Sequence, residues 1–243
     1  MTTATATDSR WSWLWPLGLC VVSAISVACV EPDQQLLVAI LWGLSMGLAF
    51  VRRERALWNL CVSDPLTGLA NRRGFQAHAA KALERLRRSH GSLALMLIDC
   101  DHFKQINDGY GHPVGDRALS QVAASLKACV RADDIVARWG GDEFVVLLRD
   151  ADELIVKRVA ARVNAHLKLA ACLPPGLSLT VSCGGVVRNA AQLQHVRLGG
   201  LMLAADSAMY AAKKRGGGQL VSWSEPSLAP FDFEQLTPPI QAG

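Results

Sequence analysis

Two short acidic segments carry the residue types needed for chemistry on a phosphate-bearing substrate. Asp99 and Asp101 end an apolar run that predicts a buried strand. Asp142 and Glu143 follow two glycines between two further apolar runs, an order typical of a hairpin tip. If the fold brings the two segments together, their oxygens suit Mg²⁺, a hard cation that binds carboxylates, carbonyls, water and substrate phosphates.

Each polar segment taken alone also has a simpler structural interpretation. An acidic hairpin tip is ordinary surface structure, and Asn107 before Asp108 and Gly109 is typical of a turn. Asp116 is predicted to cap a helix that begins at Arg117. A chemical interpretation therefore needs several segments taken together.

Four segments in a fixed order supply that specificity. Residues 64–73 read DPLTGLANRR, and residues 138–144 read RWGGDEF. Residues 99–116 read DCDHFKQINDGYGHPVGD, and residues 205–213 hold an Ala-Asp pair followed by MYAAK. In these motifs the chain resembles the GGDEF family of diguanylate cyclases over about 160 residues.

The resemblance implies a metal-dependent reaction centre. The carboxylates of Asp99 and Asp142 and the backbone carbonyl of Cys100 would bind Mg²⁺, with Mn²⁺ as an alternative ion. Asp142 and Glu143 would act on the attacking 3′-hydroxyl, and Lys104 would reach the phosphates. A bound metal lowers the pKa of such a hydroxyl and stabilises charge on the phosphoryl oxygens.

The resemblance also implies how guanine is bound. Asp116 would accept hydrogen bonds from the N1–H and N2–H₂ donors of the base, while Asn107 and His112 lie in the same substrate segment. Adenine would present an acceptor to that carboxylate, at a cost of about 1–3 kcal/mol. Lys213, at the end of the last motif, would be a second cation for the triphosphate.

An R-x-x-D arrangement lies nine residues before Gly140. By resemblance, Arg131 and Asp134 would bind the phosphate and guanine edge of an inhibitory product molecule. The same spacing is common by chance and also fits a local salt bridge.

The chain departs from the family after Lys213. Family members usually continue with a glycine, an arginine and an asparagine, and the arginine is missing at its expected place near Gly217. Lys214 and Arg215 are the candidate substitutes, and weaker triphosphate binding is the expected alternative.

The implied function is that of a diguanylate cyclase, a signalling enzyme. A homodimer would present two GTP molecules to each other and release cyclic di-GMP and two pyrophosphates. One alternative is a catalytically weak receptor for GTP or cyclic di-GMP. Others are a cyclase for ATP or mixed nucleotides and a purely structural membrane adaptor.

The elements that position these residues predict an α+β domain. Helical and strand patterns alternate, with a helix after Asn71, a strand before Asp99, a hairpin across Gly140 and Gly141, and a helix over Leu198–Lys214. This order favours a central antiparallel sheet flanked by helices, and the resemblance implies a palm-like nucleotidyl-cyclase fold.

The sequence of the N-terminal part predicts a membrane anchor. Residues 11–30 and 36–51 contain no charged residue and favour a transmembrane hairpin. Arginines flank both runs, so the sequence predicts a multi-pass protein of the bacterial inner membrane, contacting its lipid, with both termini and the catalytic domain cytoplasmic. A cleaved signal peptide is the alternative. The predicted divisions are 1–10 (lead), 11–51 (hairpin), 52–63 (connector), 64–223 (cyclase domain) and 224–243 (tail).

Overall composition adds two constraints. The chain is 51% hydrophobic, and its net charge of +4 is modest and says little about nucleic acid. No nucleic acid polymer is expected as a partner. The seven cysteines show no paired spacing of the kind that binds a metal, and they are read as reduced thiols.

Overall fold

The computed structural model describes residues 32–169, 173–174 and 177–223 of the chain. The chain divides into two units, Met1–Leu60 and Cys61–Gly243. In the described residues the helices are α1 (Pro32–Val62), α2 (Arg72–Ser89), α3 (Phe103–Tyr110), α4 (His112–Cys129), α5 (Glu153–Lys168), α6 (Ala190–Leu193) and α7 (Leu198–Lys214). The strands are β1 (Leu93–Cys100), β2 (Ile135–Arg138), β3 (Glu143–Arg149), β4 (Val181–Arg188) and β5 (Leu220–Ser222).

The described part of the N-terminal unit is helical. Among the described residues, one helical segment, Leu36–Glu54 in α1, is long and apolar enough to cross a membrane. Signal sequences and the core helices of soluble proteins meet the same test of length and composition. The predicted multi-pass inner-membrane localisation is therefore wrong, because the described residues contain one candidate helix where two spans were required. The predicted first span, 11–30, lies outside the described residues, as do the lead and the tail at 224–243.

Five strands form one mixed sheet in the order β2-β3-β1-β4-β5. All neighbouring strands are antiparallel except β4 and β5, which are parallel. The central strand β1 is buried along its whole length, which is why its sequence LALMLIDC is almost continuously apolar. The predicted α+β palm-like fold, a sheet flanked by helices, is confirmed.

Helices cover both faces of the sheet and bury two apolar clusters. Helices α4 and α5 contribute Leu119, Leu126 and Val163 to one cluster. Helices α2 and α7 contribute Phe75 and Leu201 to the other. The end of β1 meets the end of α7 at one edge of the domain, where Asp99 and Lys213 lie.

Helix α7 packs unusually close to β4 because that strand has glycine at position 184. A Cβ atom at Gly184 would lie 1.9 Å from the Ala205 carbonyl oxygen and 2.2 Å from the Met209 amide nitrogen, both on α7. Only a residue without a side chain permits this approach. The same packing carries Lys213, one turn further along α7, to the end of β1.

Some local predictions are confirmed and others are wrong. The Asn71 side chain accepts the Gly74 N–H at 3.0 Å, so Asn71 caps α2 as predicted. Asp116 is not a helix cap, because α4 already begins at His112, with Pro113 in its first turn. Asp64 does not begin a helix either: it closes a tight turn, in which Thr67 N–H donates to its carboxylate at 2.9 Å.

Candidate active site

The end of β1 pairs a buried acid with a lysine from α7. Asp99 is 5% exposed, and the Lys213 ammonium lies 2.7 Å from its Oδ2. Burial raises the pKa of Asp99 to about 6; Lys213 opposes this shift, while Asp142 and Glu143 add to it. Burial alone would lower the pKa of Lys213, but the hydrogen bond to Asp99 and the surrounding carboxylates raise it.

The glycine hairpin brings the second pair of acids beside the first. Glu143 lies opposite Asp99 in the register of β1 and β3, and the Cys100 N–H donates to the Asp142 carbonyl at 3.2 Å. The hairpin closes through the N–H groups of Trp139 and Gly140, which donate to the Glu143 carbonyl at 2.8 and 3.3 Å. Burial raises the pKa of Glu143, and the charges of Asp142 and Asp206 raise it further.

Arg138 ties the hairpin to the first motif, a role that the sequence reasoning did not assign. Its Nη1 lies 3.3 and 3.2 Å from the two Asp64 carboxylate oxygens. Its Nε and Nη2 donate to the Gly141 carbonyl at 3.1 and 2.7 Å. Burial alone would raise the pKa of Asp64, but hydrogen bonds from Thr67 and the Arg138 charge lower it. Arg138 thus fixes the backbone immediately before Asp142.

The acids that converge here have the chemistry of a magnesium site. Asp99, Asp142 and Glu143 concentrate negative charge in a half-buried place, and hard carboxylate oxygens are the ligands that Mg²⁺ takes. Within the described residues, no group of three or more His, Cys, Asp or Glu side chains forms a metal cluster. A metal held by Asp99 and Asp142 would complete its coordination with backbone or substrate oxygens. The buried Cys100 thiol has a raised pKa and is unsuited to be a ligand.

The predicted substrate residues lie on two successive helices, α3 and α4. Asn107 Oδ1 is buried and has no hydrogen-bond partner in the described part of the chain. Gly115 makes room for it, since a Cβ there would lie 2.0 Å from that oxygen. Lys104, His112 and Asp116 are exposed on the same two helices, so the structure leaves their polar groups accessible to a ligand.

Both candidate substitutes for the missing arginine contact or line other parts of the domain. Lys214 Nζ stands over the Tyr210 ring, 4.6 Å from its centroid. Arg215 lines a different cavity, with Lys157 and Asn164 of α5. The turn at 216–218 consists of three glycines with φ of +100°, +74° and +65°.

The R-x-x-D segment lies at a separate, arginine-lined cavity of about 230 Å³. The Asp134 carboxylate accepts the backbone N–H groups of Arg131 and Arg149 at 2.9 and 3.1 Å, so it is held by the backbone. Four arginines line this cavity: Arg131, Arg149, Arg158 and Arg162. The sequence reasoning missed the last three, although Arg158 and Arg162 have the i, i+4 spacing that places side chains on one helix face.

Comparison with known proteins identifies the family. A family model described as diguanylate cyclase, GGDEF domain, matches residues 61–219, well over half of the chain. The chain belongs to this family of GGDEF-domain diguanylate cyclases.

Individual relatives agree with that assignment. Diguanylate cyclase DosC of Escherichia coli (strain K12) is 35% identical over 163 residues, which are 66% of this chain and 35% of DosC. Diguanylate cyclase DgcP of Pseudomonas aeruginosa is 35% identical over 176 residues, 70% of this chain and 24% of DgcP. The chain thus spans about a third or less of these curated relatives.

Two solved structures share the fold. The GGDEF domain of PA1120 (TpbB or YfiN) from Pseudomonas aeruginosa has a TM-score of 0.61 and 34% identity, covering 67% of this chain and 94% of that one. The coiled coil and GGDEF domain of DgcB from Caulobacter crescentus, in complex with c-di-GMP, has a TM-score of 0.67. It is 24% identical and covers 76% of this chain and 98% of that one, so it supports the fold alone.

Proposed function

We propose that this chain condenses two GTP molecules into cyclic di-GMP and two pyrophosphates, with Mg²⁺ or Mn²⁺ as cofactor. The observation that carries the proposal is the convergence of Asp99, Asp142, Glu143 and Lys213 at one edge of the sheet. The named cyclases among its relatives support the same reaction.

In this proposal the metal ligands are Asp99, Asp142 and the Cys100 carbonyl. When bound, the ion would stabilise charge on the α-phosphoryl oxygens and acidify the 3′-hydroxyl. Because its pKa is raised, Glu143 holds a proton more firmly than a free carboxylate does, and it is suited to accept the hydroxyl proton. Lys104 and Lys213 would balance the charge of the leaving pyrophosphate.

The guanine base would be bound by residues of helices α3 and α4. Asn107 Oδ1, which has no hydrogen-bond partner among the described residues, is the candidate acceptor for a donor on the substrate. The exposed Asp116 would accept from N1–H and N2–H₂ of guanine, and His112 lies at the start of the same helix. Adenine would place an acceptor against the Asp116 carboxylate and leave it without that donor, and this cost favours guanine over adenine.

A homodimer is part of the proposal, because one site binds one GTP and the product contains two. Each subunit would present the 3′-hydroxyl of its nucleotide to the α-phosphorus of the other. The reaction then depends on how two copies face each other, which makes rate depend on protein concentration.

A nucleotide assay tests this function. Purified chain with GTP and Mg²⁺ should form cyclic di-GMP and pyrophosphate, and Asp142→Ala should lower the rate at least about 100-fold because it removes transition-state charge stabilisation. Products are measured by chromatography and mass spectrometry, and excess ATP should not compete. Glu84→Ala, an exposed acid on α2, is the matched control and should retain the wild-type rate.

We further propose that the arginine-lined cavity is the inhibitory product site. Arg131 and Asp134 are extended there by Arg149, Arg158 and Arg162, a cation-rich lining suited to two phosphates. Asp134, held by two backbone N–H groups, would keep a fixed geometry for a guanine edge.

Inhibition by added product tests that site. Arg158→Ala should raise the cyclic di-GMP concentration for half-inhibition about tenfold, because one charge-assisted contact is lost, and should leave the initial rate unchanged. Lys157→Ala is the matched control, because Lys157 is its neighbour on α5 but lines another cavity. Equal inhibition of wild type and Arg158→Ala would contradict the assignment.

A receptor that binds GTP or cyclic di-GMP without turnover is the second candidate function. The observation in its favour is the glycine at position 217, together with the engagement of Lys214 and Arg215 elsewhere. GTP binding without product, in folded and dimeric protein, would establish this alternative.

A further inference from the structure

Asp101 is a buried acid that the proposed reaction does not use. Asp101 is 8% exposed, and both of its carboxylate oxygens accept hydrogen bonds. The Ser182 hydroxyl donates to Oδ1 at 2.5 Å, and the Thr180 hydroxyl donates to Oδ2 at 2.7 Å. Asp101 therefore lies against β4 and the residues before it, and its oxygens are already satisfied by protein donors.

The third hydrogen bond reaches the turn that follows α7. The Gly218 N–H donates to Asp101 Oδ2 at 2.8 Å. Gly217 packs against the same carboxylate, since a Cβ there would lie 2.9 Å from Oδ1. Gly217 has a φ of +74°, a backbone conformation that glycine adopts without strain. The turn is therefore shaped around the Asp101 side chain.

The end of β1 thus contacts the end of α7 at two points. Asp99 contacts the Lys213 ammonium, and Asp101, two residues later, contacts the backbone four to five residues after Lys213. The side chain of Lys213 is 42% exposed, so packing alone does not fix its position. A fixed end of α7 limits where its ammonium can lie.

We propose that Asp101 is a positioning residue for the cyclase reaction. It holds the glycine turn at 216–218 and through it the last turn of α7, so that the Lys213 ammonium stays beside Asp99. The part of this inference that concerns the triphosphate rests on the proposed function. The placement of Lys213 does not, and it can be measured without GTP.

Amine acylation measures that placement. Lysines are labelled with the N-hydroxysuccinimide ester of acetic acid, and the rate at each residue is read by peptide mass spectrometry. Lys213 should react more slowly than the exposed Lys104, and Asp101→Ala should raise the Lys213 rate at least about threefold, as expected on loss of a partly exposed ion pair. An unchanged Lys213 rate in folded Asp101→Ala protein would overturn the proposal.

Two further variants separate positioning from general destabilisation. Thr180→Val removes another hydrogen bond to the same carboxylate but leaves the Gly218 contact, so Lys213 labelling should stay at the wild-type rate. Asp101→Asn retains an oxygen that can accept the Gly218 N–H and should restore slow labelling. If Asp101→Ala does not fold, Asp101→Ser, which is too short to reach Gly218, takes its place.

Steady-state kinetics with GTP connect the placement to the reaction. Lys213→Ala should raise KM about tenfold in the wild-type background, as expected for loss of a charged contact. In the Asp101→Ala background the same substitution should raise KM less than about threefold, because residues that act as a unit are not additive. If the two substitutions have fully additive effects on KM, the positioning role is overturned. If lysine labelling gives the expected results but the protein does not bind GTP, only the proposed function is contradicted.

Discussion

Asp99→Asn is expected to increase the free energy of unfolding at pH 7 by about 2–3 kcal/mol and to lower cyclase activity at least about 100-fold. Stability rises because the wild-type carboxylate is buried beside two other acids, and its pKa in the folded state is about 6. Activity falls because the same carboxylate is a proposed metal ligand. Asp99 is thus expected to lower the free energy of unfolding and yet to be needed for cyclase activity.

The pH dependence has a definite sign. The folded-state pKa of Asp99, about 6, lies above the ordinary aspartate value of 3.8, so the folded protein binds the proton more tightly than the unfolded chain. The favourable contribution of protonation is complete below about pH 4 and is lost as pH rises through about 6. The stability difference between Asp99→Asn and wild type should therefore be near zero at pH 4 and largest above pH 6.

Urea unfolding at several pH values measures this difference. Asp108→Asn, an exposed aspartate on α3, is the matched control and should leave the unfolding free energy unchanged at each pH. If Asp99→Asn is less stable than wild type at pH 7, the Lys213 ion pair outweighs burial and repulsion, and the expected sign is wrong.

Gly184→Ala is expected to lower the unfolding free energy by at least about 3 kcal/mol, at the upper end of the cost of overpacking. The added Cβ would meet two backbone atoms of α7 at 1.9 and 2.2 Å, and backbone cannot rotate away as a side chain does. The helix would have to move from β4 and take Lys213 with it. Activity should therefore fall in the protein that remains folded.

Gly185→Ala is the matched control on the same strand. A Cβ there would lie 2.9 Å from a Val156 methyl group and 3.3 Å from a Leu220 methyl group, which are side-chain atoms that can shift. The loss of unfolding free energy that Gly185→Ala causes, measured by thermal or urea unfolding, should be clearly smaller than the loss that Gly184→Ala causes. Equal losses of unfolding free energy would show that β4 needs glycine for its own conformation and not for the close approach of α7.

The order of motifs in the sequence determined the family, the α+β fold and the two acidic segments of the site. These are local features: β1 is continuously apolar because it is buried on both faces, and the glycine hairpin follows from residues that adjoin in the chain. The cap at Asn71 was predictable for the same reason, since it bonds an amide three residues away. Short-range chemistry needs no knowledge of the rest of the fold.

Predictions from short sequence segments were wrong where residues outside the segment determine the structure. Asp116 resembles a cap, but Gly111, with φ +80°, and Pro113 start the helix one turn before it. The multi-pass prediction required two spans, and among the described residues one candidate helix is found.

Only the tertiary structure showed which groups Asp99 and Asp101, two acids at the end of one strand, contact. Asp99 meets Lys213, while Asp101 accepts hydrogen bonds from Thr180, Ser182 and Gly218, between 79 and 117 residues away along the chain. The same holds for Arg158 and Arg162, which reach the R-x-x-D segment because α5 packs beside α4. The partners of a buried charge are set by which elements pack together, and no spacing within one segment encodes them.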